Sequence, residues 1–171
     1  ALVERFATRL QLPVTAVCVA AVMTLWIATA RARHAFDLSD LEQHYYRAGT
    51  AVAAHVPAAA SIFTVKNSGS VQYHAGLPTV SWDTLEPDAL DRTLAFVRER
   101  GYPPYLLLEI DEEQAFRERF RGTSVLGNLD WPPRVQIGRT IRLYDPLDRA
   151  RFLEDGKVRT EFVREAPVPR R

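Results

Sequence analysis

Residues 12–30 read LPVTAVCVAAVMTLWIATA and carry no charged side chain, and this run constrains the chain more than any other feature. A helix rises about 1.5 Å per residue, so the run covers roughly 28 Å, close to the ~30 Å hydrocarbon core of a bilayer. Its threonine hydroxyls can bond to carbonyl groups one turn earlier. We interpret residues 12–30 as a transmembrane helix, and residues 1–11 as the end of a loop or helix that arrives from upstream in a longer protein.

A cleaved signal peptide is the alternative interpretation of this run, because small residues typical of a cleavage site come after it. The apolar region of a signal peptide normally covers about 7–15 residues, and this one is longer. The flanking charges leave the direction of the helix open, since Arg5 and Arg9 precede it and Arg31 and Arg33 come after it.

Composition constrains the rest of the chain. Residues 31–150 have the length of a single domain with its own core. The chain has 22 basic and 21 acidic residues, a formal net charge of +1, so no long-range field would attract nucleic acid. A single cysteine, Cys18, argues against a disulfide framework or a cysteine-based metal site. Residues 151–171 are polar and predict a partly disordered tail.

Strand and helix patterns alternate along the predicted domain. The predicted strands cover residues 61–67, 79–83, 105–110 and 140–145. Helical patterns occur in FDLSDLEQHYYRAGTAVAAHV, which opens with a capping box of Ser39 and Glu42, and in SGSVQYHAG, EPDALDRTLAFVRERG and EEQAFRERFRG. Asp111 is the predicted N-cap of the last of these helices. The alternation predicts a small layered α/β domain with a mostly parallel sheet, preceded by one transmembrane helix.

Polar residues lie at and just after the ends of the first two predicted strands, where an open parallel sheet binds its ligands. A glycine flanked by serines beside a lysine could hold an anion through backbone N–H groups. The candidate anion or substrate contacts are Lys66, Asn67, Ser68, Gly69, Ser70 and Asp83. Simple helix capping by the serines explains the same residues without a ligand, and we favour it because the spacing of a P-loop is missing.

Four carboxylates surround the end of the third strand, at Glu109, Asp111, Glu112 and Glu113. They could bind a metal or act as an acid–base pair, but helix capping accounts for the last three. Glu109 lies in an apolar strand, and we expect an arginine to pair with it. The four histidines lack the spacing of a zinc site. We therefore assign no catalytic residue, no cofactor and no metal, and we expect Trp82 and Trp131 to close core edges rather than bind sugar or lipid.

The order of several motifs resembles one known arrangement. VKNSGSVQYHAGLPTVSWDTL is succeeded by RGYPPYLLLEIDEEQAFRERF, then by LDWPP and IRLYDPLDR, all after an apolar helix. This order is similar to the last membrane helix and extracytoplasmic domain of bacterial polytopic C-type glycosyltransferases related to the dolichyl-phosphate-mannose protein mannosyltransferases. The resemblance covers roughly residues 12–150.

The resemblance implies transfer of a sugar from a polyprenyl-phosphate carrier to an acceptor outside the cytoplasm. It places the catalytic acidic residue in an early extracytoplasmic loop, outside this chain. It also implies a location in the bacterial inner membrane, with residues 31–171 periplasmic or extracellular. The expected partners are the bilayer and the polyprenyl-phosphate-linked sugar.

Three functions remain open, in order of preference. The first is the non-catalytic C-terminal portion of a membrane glycosyltransferase. The second is a free-standing, single-span module that binds a ligand or a partner. The third is a small anchored hydrolase, which requires Asp83, Glu109 or Asp111 to converge in an open cleft with at least one of them unpaired.

Overall fold

The computed structural model describes the backbone of residues 2–33 and 38–163, and the side chains of residues 13–33 and 43–163. The chain forms two compact units, residues 1–42 and 43–171. The first unit consists mainly of helix α1 (Leu2–Ala32), which runs through residues 2–11 without a break. Its segment Pro13–Ala32 is long and apolar enough to cross a membrane, and none of the segment is buried within the protein.

Two threonines of α1 satisfy their hydroxyl groups within the helix. Thr24 donates to the carbonyl of Ala20, and Thr29 to that of Leu25, each at 2.8 Å. The back-bonding predicted from the sequence is confirmed at these two positions, so these two hydroxyls need no contact with water.

The second unit contains a mixed α/β fold. Its helices are α2 (Leu38–His55, which begins in the first unit), α3 (Ser68–Ser70), α4 (Leu90–Glu99), α5 (Ile110–Phe120) and α6 (Pro146–Asp155). Its strands are β1 (Ser61–Phe63), β2 (Thr79–Val80), β3 (Pro104–Glu109), β4 (Val135–Ile137), β5 (Ile141–Tyr144) and β6 (Glu161–Val163). Helix α3 continues into a π-helical turn, Val71–Ala75. The side chains of the predicted capping box, Ser39 and Glu42, lie outside the described residues.

The six strands form one sheet in the order β2-β1-β3-β5-β4-β6. Strand β1 is parallel to both β2 and β3, and β4 is parallel to β6. Strand β5 is antiparallel to both β3 and β4, with Leu107 opposite Leu143. The prediction of a mostly parallel sheet is therefore only partly right. The short β4–β5 connection, in which Gly138 has φ 57°, forms a hairpin and forces the antiparallel direction.

Side chains of the strands alternate between two cores on opposite faces of the sheet. In β3, Tyr105 and Leu107 join the core beneath α2. Leu106 and Leu108 join the other core, which α4 and α5 cover. The buried run predicted for this strand is confirmed, because all five residues from Pro104 to Leu108 are buried.

The domain continues beyond residue 150, where the sequence predicted its boundary. Helix α6 extends to Asp155, and β6 pairs with β4 with Val135 opposite Glu161. The first part of the predicted tail is thus part of the fold. This part of the chain is polar because it forms the outer strand β6, which buries little side-chain surface; even Phe162 is exposed. Residues 164–171 lie outside the described residues.

Candidate functional site

The carboxyl ends of β1, β2 and β3 lie at one edge of the sheet, because these strands are parallel. This carboxyl edge is where open sheets of this kind bind ligands. The loop after β1 supplies Lys66 and Asn67, and the end of β3 supplies Glu109. Asp83 lies just after β2 in a 3-10 turn, Trp82–Thr84, and is exposed to solvent.

Glu109 connects three separate elements at this edge. Its Oε1 atom lies 3.3 Å from His44 Nε2 on α2 and accepts a hydrogen bond from Asn67 Nδ2 at 3.3 Å. Its Oε2 atom lies 3.5 Å from Lys66 Nζ. The Glu109 side chain is only 15% exposed. The predicted arginine partner was wrong in residue type, since lysine, histidine and asparagine occupy this role.

Glu109 also occupies the N-cap position of α5, which the sequence assigned to Asp111. The strand passes into the helix without a loop, so the helix begins two residues earlier than expected. Glu112 accepts hydrogen bonds from the backbone N–H groups of Glu109, at 2.8 Å, and Lys66, at 3.3 Å. Burial raises the pKa of Glu112, and these two N–H groups oppose the rise.

Asp111 instead forms an exposed ion pair with Lys66. The hydrogen bond from Lys66 lowers the pKa of Asp111, and the same bond raises the pKa of Lys66. Both groups face solvent, where such pairs typically contribute less than about 1 kcal/mol to stability. The positive charge of Lys66 is therefore directed at two carboxylates.

The six candidate anion contacts have different environments. Lys66 and Asn67 both contact Glu109, and Asn67 is fully buried. Ser70 donates its hydroxyl to the carbonyl of Tyr45, which joins α3 to α2. Gly69 is exposed, with open space where a side chain would lie, and Ser68 is half-buried. The helix they begin, α3, has three residues. Ligand binding by these residues stays a prediction.

Three buried polar atoms in the described part of the chain have no hydrogen-bond partner. They are Thr64 Oγ1, Asn67 Oδ1 and Trp82 Nε1. Thr64 and Asn67 lie after the carboxyl end of β1, and Trp82 lies after that of β2. Buried polar groups in proteins are usually hydrogen-bonded. All three buried side-chain atoms that lack a partner among the described residues therefore lie at the carboxyl edge.

A second polar cluster surrounds Glu113, which is 4% exposed. The predicted i,i+4 pair with Arg117 is confirmed at 3.2 Å. Strand β5 adds Arg142 at 2.8 Å and the Tyr144 hydroxyl, which donates to Glu113 Oε1 at 2.7 Å. Burial and the bond to Glu113 raise the pKa of Tyr144. No sequence pattern predicted these two partners, because none indicated that β5 lies beside β3.

A third cluster brings together the LDWPP and IRLYDPLDR motifs. Trp131 donates its indole N–H to the carbonyl of Asp145 at 3.1 Å. Arg134 pairs with Asp145 at 2.8 Å and forms two hydrogen bonds with Asp148, at 2.8 and 2.9 Å. Trp131 and Trp82 are 3% and 5% exposed, which confirms that both close core edges. Through Arg134 and Trp131, this cluster links the start of α6 to the loop that precedes β4.

The described residues include no group of three or more His, Cys, Asp or Glu side chains placed to hold a metal ion. No protein-family model, curated protein or solved structure matches this chain.

Proposed function

We propose that the chain is the non-catalytic C-terminal portion of an integral-membrane glycosyltransferase. That enzyme would transfer a sugar from a polyprenyl-phosphate carrier to an acceptor outside the cytoplasm, and its catalytic residues would lie outside this chain. The observation that carries the proposal is the engagement of the carboxylates at the carboxyl edge. Glu109 is held by His44, Lys66 and Asn67, and Asp111 by Lys66.

This engagement argues against the anchored hydrolase. A general acid or base must reach the substrate proton with an available oxygen. Glu109 is committed to three partners, and Glu112 accepts two backbone N–H groups. Asp83 is exposed, in a turn after a different strand. Of the three carboxylates that the hydrolase could use, Glu109 occupies the N-cap of α5, Asp111 pairs with Lys66, and Asp83 is exposed to solvent.

Two further features support the glycosyltransferase. The segment Pro13–Ala32 suits a membrane helix that directly precedes the domain. The LDWPP and IRLYDPLDR motifs, on which the resemblance partly rests, meet in one cluster around Asp145. We place the helix in the bacterial inner membrane and the domain on its periplasmic or external side.

A free-standing, single-span module that binds a ligand is the second candidate. The unsatisfied Thr64, Asn67 and Trp82 atoms at the carboxyl edge favour it, because a ligand with hydroxyl groups could bond to them once the edge opens. This candidate requires the domain to bind its ligand by itself.

The first test is to sequence the reading frame upstream of Ala1. We expect several more apolar segments of about 20 residues and an acidic loop between the first two of them. A start codon within a few residues of Ala1 would overturn the glycosyltransferase and leave the free-standing module.

The second test concerns the side of the membrane on which the domain lies. Cys18→Ala removes the only cysteine, and Ala95→Cys then introduces one at an exposed position of α4. We expect a membrane-impermeant maleimide to label Cys at position 95 in intact spheroplasts. Labelling only after lysis contradicts the external location.

A further inference from the structure

One segment of the chain is almost free of charge. Residues 48–82 contain a single Asp, Glu, Lys or Arg side chain, Lys66. Lys66 is directed at Glu109 and Asp111 at the carboxyl edge. The remaining surface that this segment contributes is built from alanine, tyrosine, histidine and other uncharged residues.

The helical parts of this segment, residues 48–55 and 68–75, cover one face of the sheet. Ala48, Ala51 and Val52 of α2 and Val71 of the π-helical turn pack into the core on that side. The exposed side chains above them form a surface that we name the α2 face, made of Tyr46, Ala53, Ala54, Tyr73 and the half-buried His74.

The opposite face of the sheet differs sharply in charge. There α4 and α5 pack into the other core through Leu90, Leu94, Phe116 and Phe120. Their exposed positions carry Asp91, Arg92, Arg98, Glu99, Asp111 and Glu118. The α4 and α5 side of the sheet is therefore densely charged and suited to bulk water, whereas the α2 face itself has no Asp, Glu, Lys or Arg. On the α2 side, Arg47 follows Tyr46 in the helix and Glu161 pairs with His55, so charge there is sparse.

The aromatic rings of the α2 face are held in place. Tyr46 and Tyr73 contact the His74 ring edge-on, with ring centroids 5.1 and 4.8 Å away. Tyr73 is 85% exposed and Tyr46 53%. Gly49 lets α2 approach the next helix closely, since a Cβ atom there would lie 2.7 Å from His74 Cβ. These large rings stay at the surface because the backbone beneath them is closely packed.

The chain itself indicates what covers this face. Only residues 33–37 separate α1 from α2, and five residues span at most about 18 Å. Tyr46 lies in the third turn of α2, only 14 residues after Ala32, the last residue of the apolar segment Pro13–Ala32. A bilayer that holds this segment is therefore within reach of α2. Tyrosine is enriched where bilayers meet water, because its ring is apolar and its hydroxyl is polar.

We propose that the α2 face rests on the lipid headgroup region of the membrane that α1 enters. The phenol rings of Tyr46 and Tyr73 would enter the headgroup layer, and the charged α4 and α5 side would face water. This inference requires α1 to enter a bilayer but does not depend on the glycosyltransferase proposal, so either can fail without the other.

Two alanines provide a matched test. Ala53 on α2 and Ala95 on α4 are both exposed helical residues on opposite faces of the sheet. Ala53→Cys and Ala95→Cys, each in a Cys18→Ala background, are labelled with a nitroxide in the full chain, reconstituted into phosphatidylcholine vesicles. The unaltered chain labelled at Cys18 provides the reference for a position within the apolar segment. Collision rates with oxygen and with a water-soluble nickel chelate are then measured by electron paramagnetic resonance.

We expect the label at position 53 to collide several-fold less with nickel, and more with oxygen, than the label at position 95. Equal nickel accessibility at the two positions overturns the proposal, as does free access of nickel to the label at Cys18. Low accessibility to both reagents at position 53, with dipolar broadening between labels, shows a second copy on this face and overturns it too. Adding Tyr46→Ser and Tyr73→Ser to the Ala53→Cys variant should restore nickel access in part.

Discussion

The hydroxyl of Tyr144 donates a 2.7 Å hydrogen bond to Glu113 across the junction of β5 and α5, and both side chains are buried. Tyr144→Phe removes the donor and leaves the carboxylate with Arg142 and Arg117. We expect the free energy of unfolding to fall by about 1–2 kcal/mol. Urea unfolding of the full chain in detergent micelles, monitored by tryptophan fluorescence, measures it. Tyr102→Phe, at an exposed tyrosine, is the control and should change it by less than about 0.5 kcal/mol.

Gly49→Ala tests the close approach of α2 to the next helix. Its Cβ atom would lie 2.5 Å from the carbonyl oxygen of Ser70, so the two elements must separate. We expect a loss of about 1–3 kcal/mol in the free energy of unfolding. Gly69→Ala meets no atom within 4 Å and should be neutral or stabilising by up to about 1 kcal/mol. Equal effects of the two substitutions would show that α2 does not need this contact.

Because the pKa of Glu112 is raised in the folded protein, we expect the stability of the fold to depend on pH in a defined direction. Burial raises its pKa in the folded protein above the ordinary value of 4.5, so the folded state binds the proton more tightly than the unfolded state. The associated stability is complete below pH 4.5 and is lost as the pH rises through the folded pKa. We therefore expect the stability advantage of the native chain over Glu112→Gln to shrink as the pH rises from 4.5. Urea unfolding at a series of pH values measures this difference, and an advantage that grows with pH contradicts it.

Thr64→Val tests the unsatisfied hydroxyl at the carboxyl edge. Valine has the same shape, and the Thr64 hydroxyl is buried without a partner. Removing it should raise the free energy of unfolding by about 1 kcal/mol. Thr93→Val is the control, because the Thr93 hydroxyl donates to the carbonyl of Ala89 at 2.8 Å and its loss should not stabilise α4. A decrease for Thr64→Val would reveal a hydrogen-bond partner such as a bound ligand.

The sequence predicted best where one strong pattern determined the structure. The uninterrupted apolar residues of β3 predicted a strand buried on both faces, and it is one. The alternation of strand and helix patterns predicted the α/β class. Local patterns also placed Trp82 and Trp131 at core edges and Arg117 beside Glu113.

Features that depend on strand direction or on distant partners were not predictable in this way. Alternating apolar residues in β5 show that it is a strand but not that it runs antiparallel to β3. The partners of Glu109 come from α2 and the loop after β1, far away in sequence. Strand β6 has no buried apolar run, so its three residues resembled a tail. The N-cap was misplaced because β3 passes into α5 without the loop that usually marks a helix start.

The strand order has a consequence for crowding at a membrane surface. The outermost strands are β2, with two residues, and β6, with three. An exposed strand edge invites pairing with a strand of another molecule, and very short edge strands offer few backbone groups for that pairing. The sheets of neighbouring copies are therefore poor templates for one another, so the domain should resist intermolecular β-aggregation even at high local concentration.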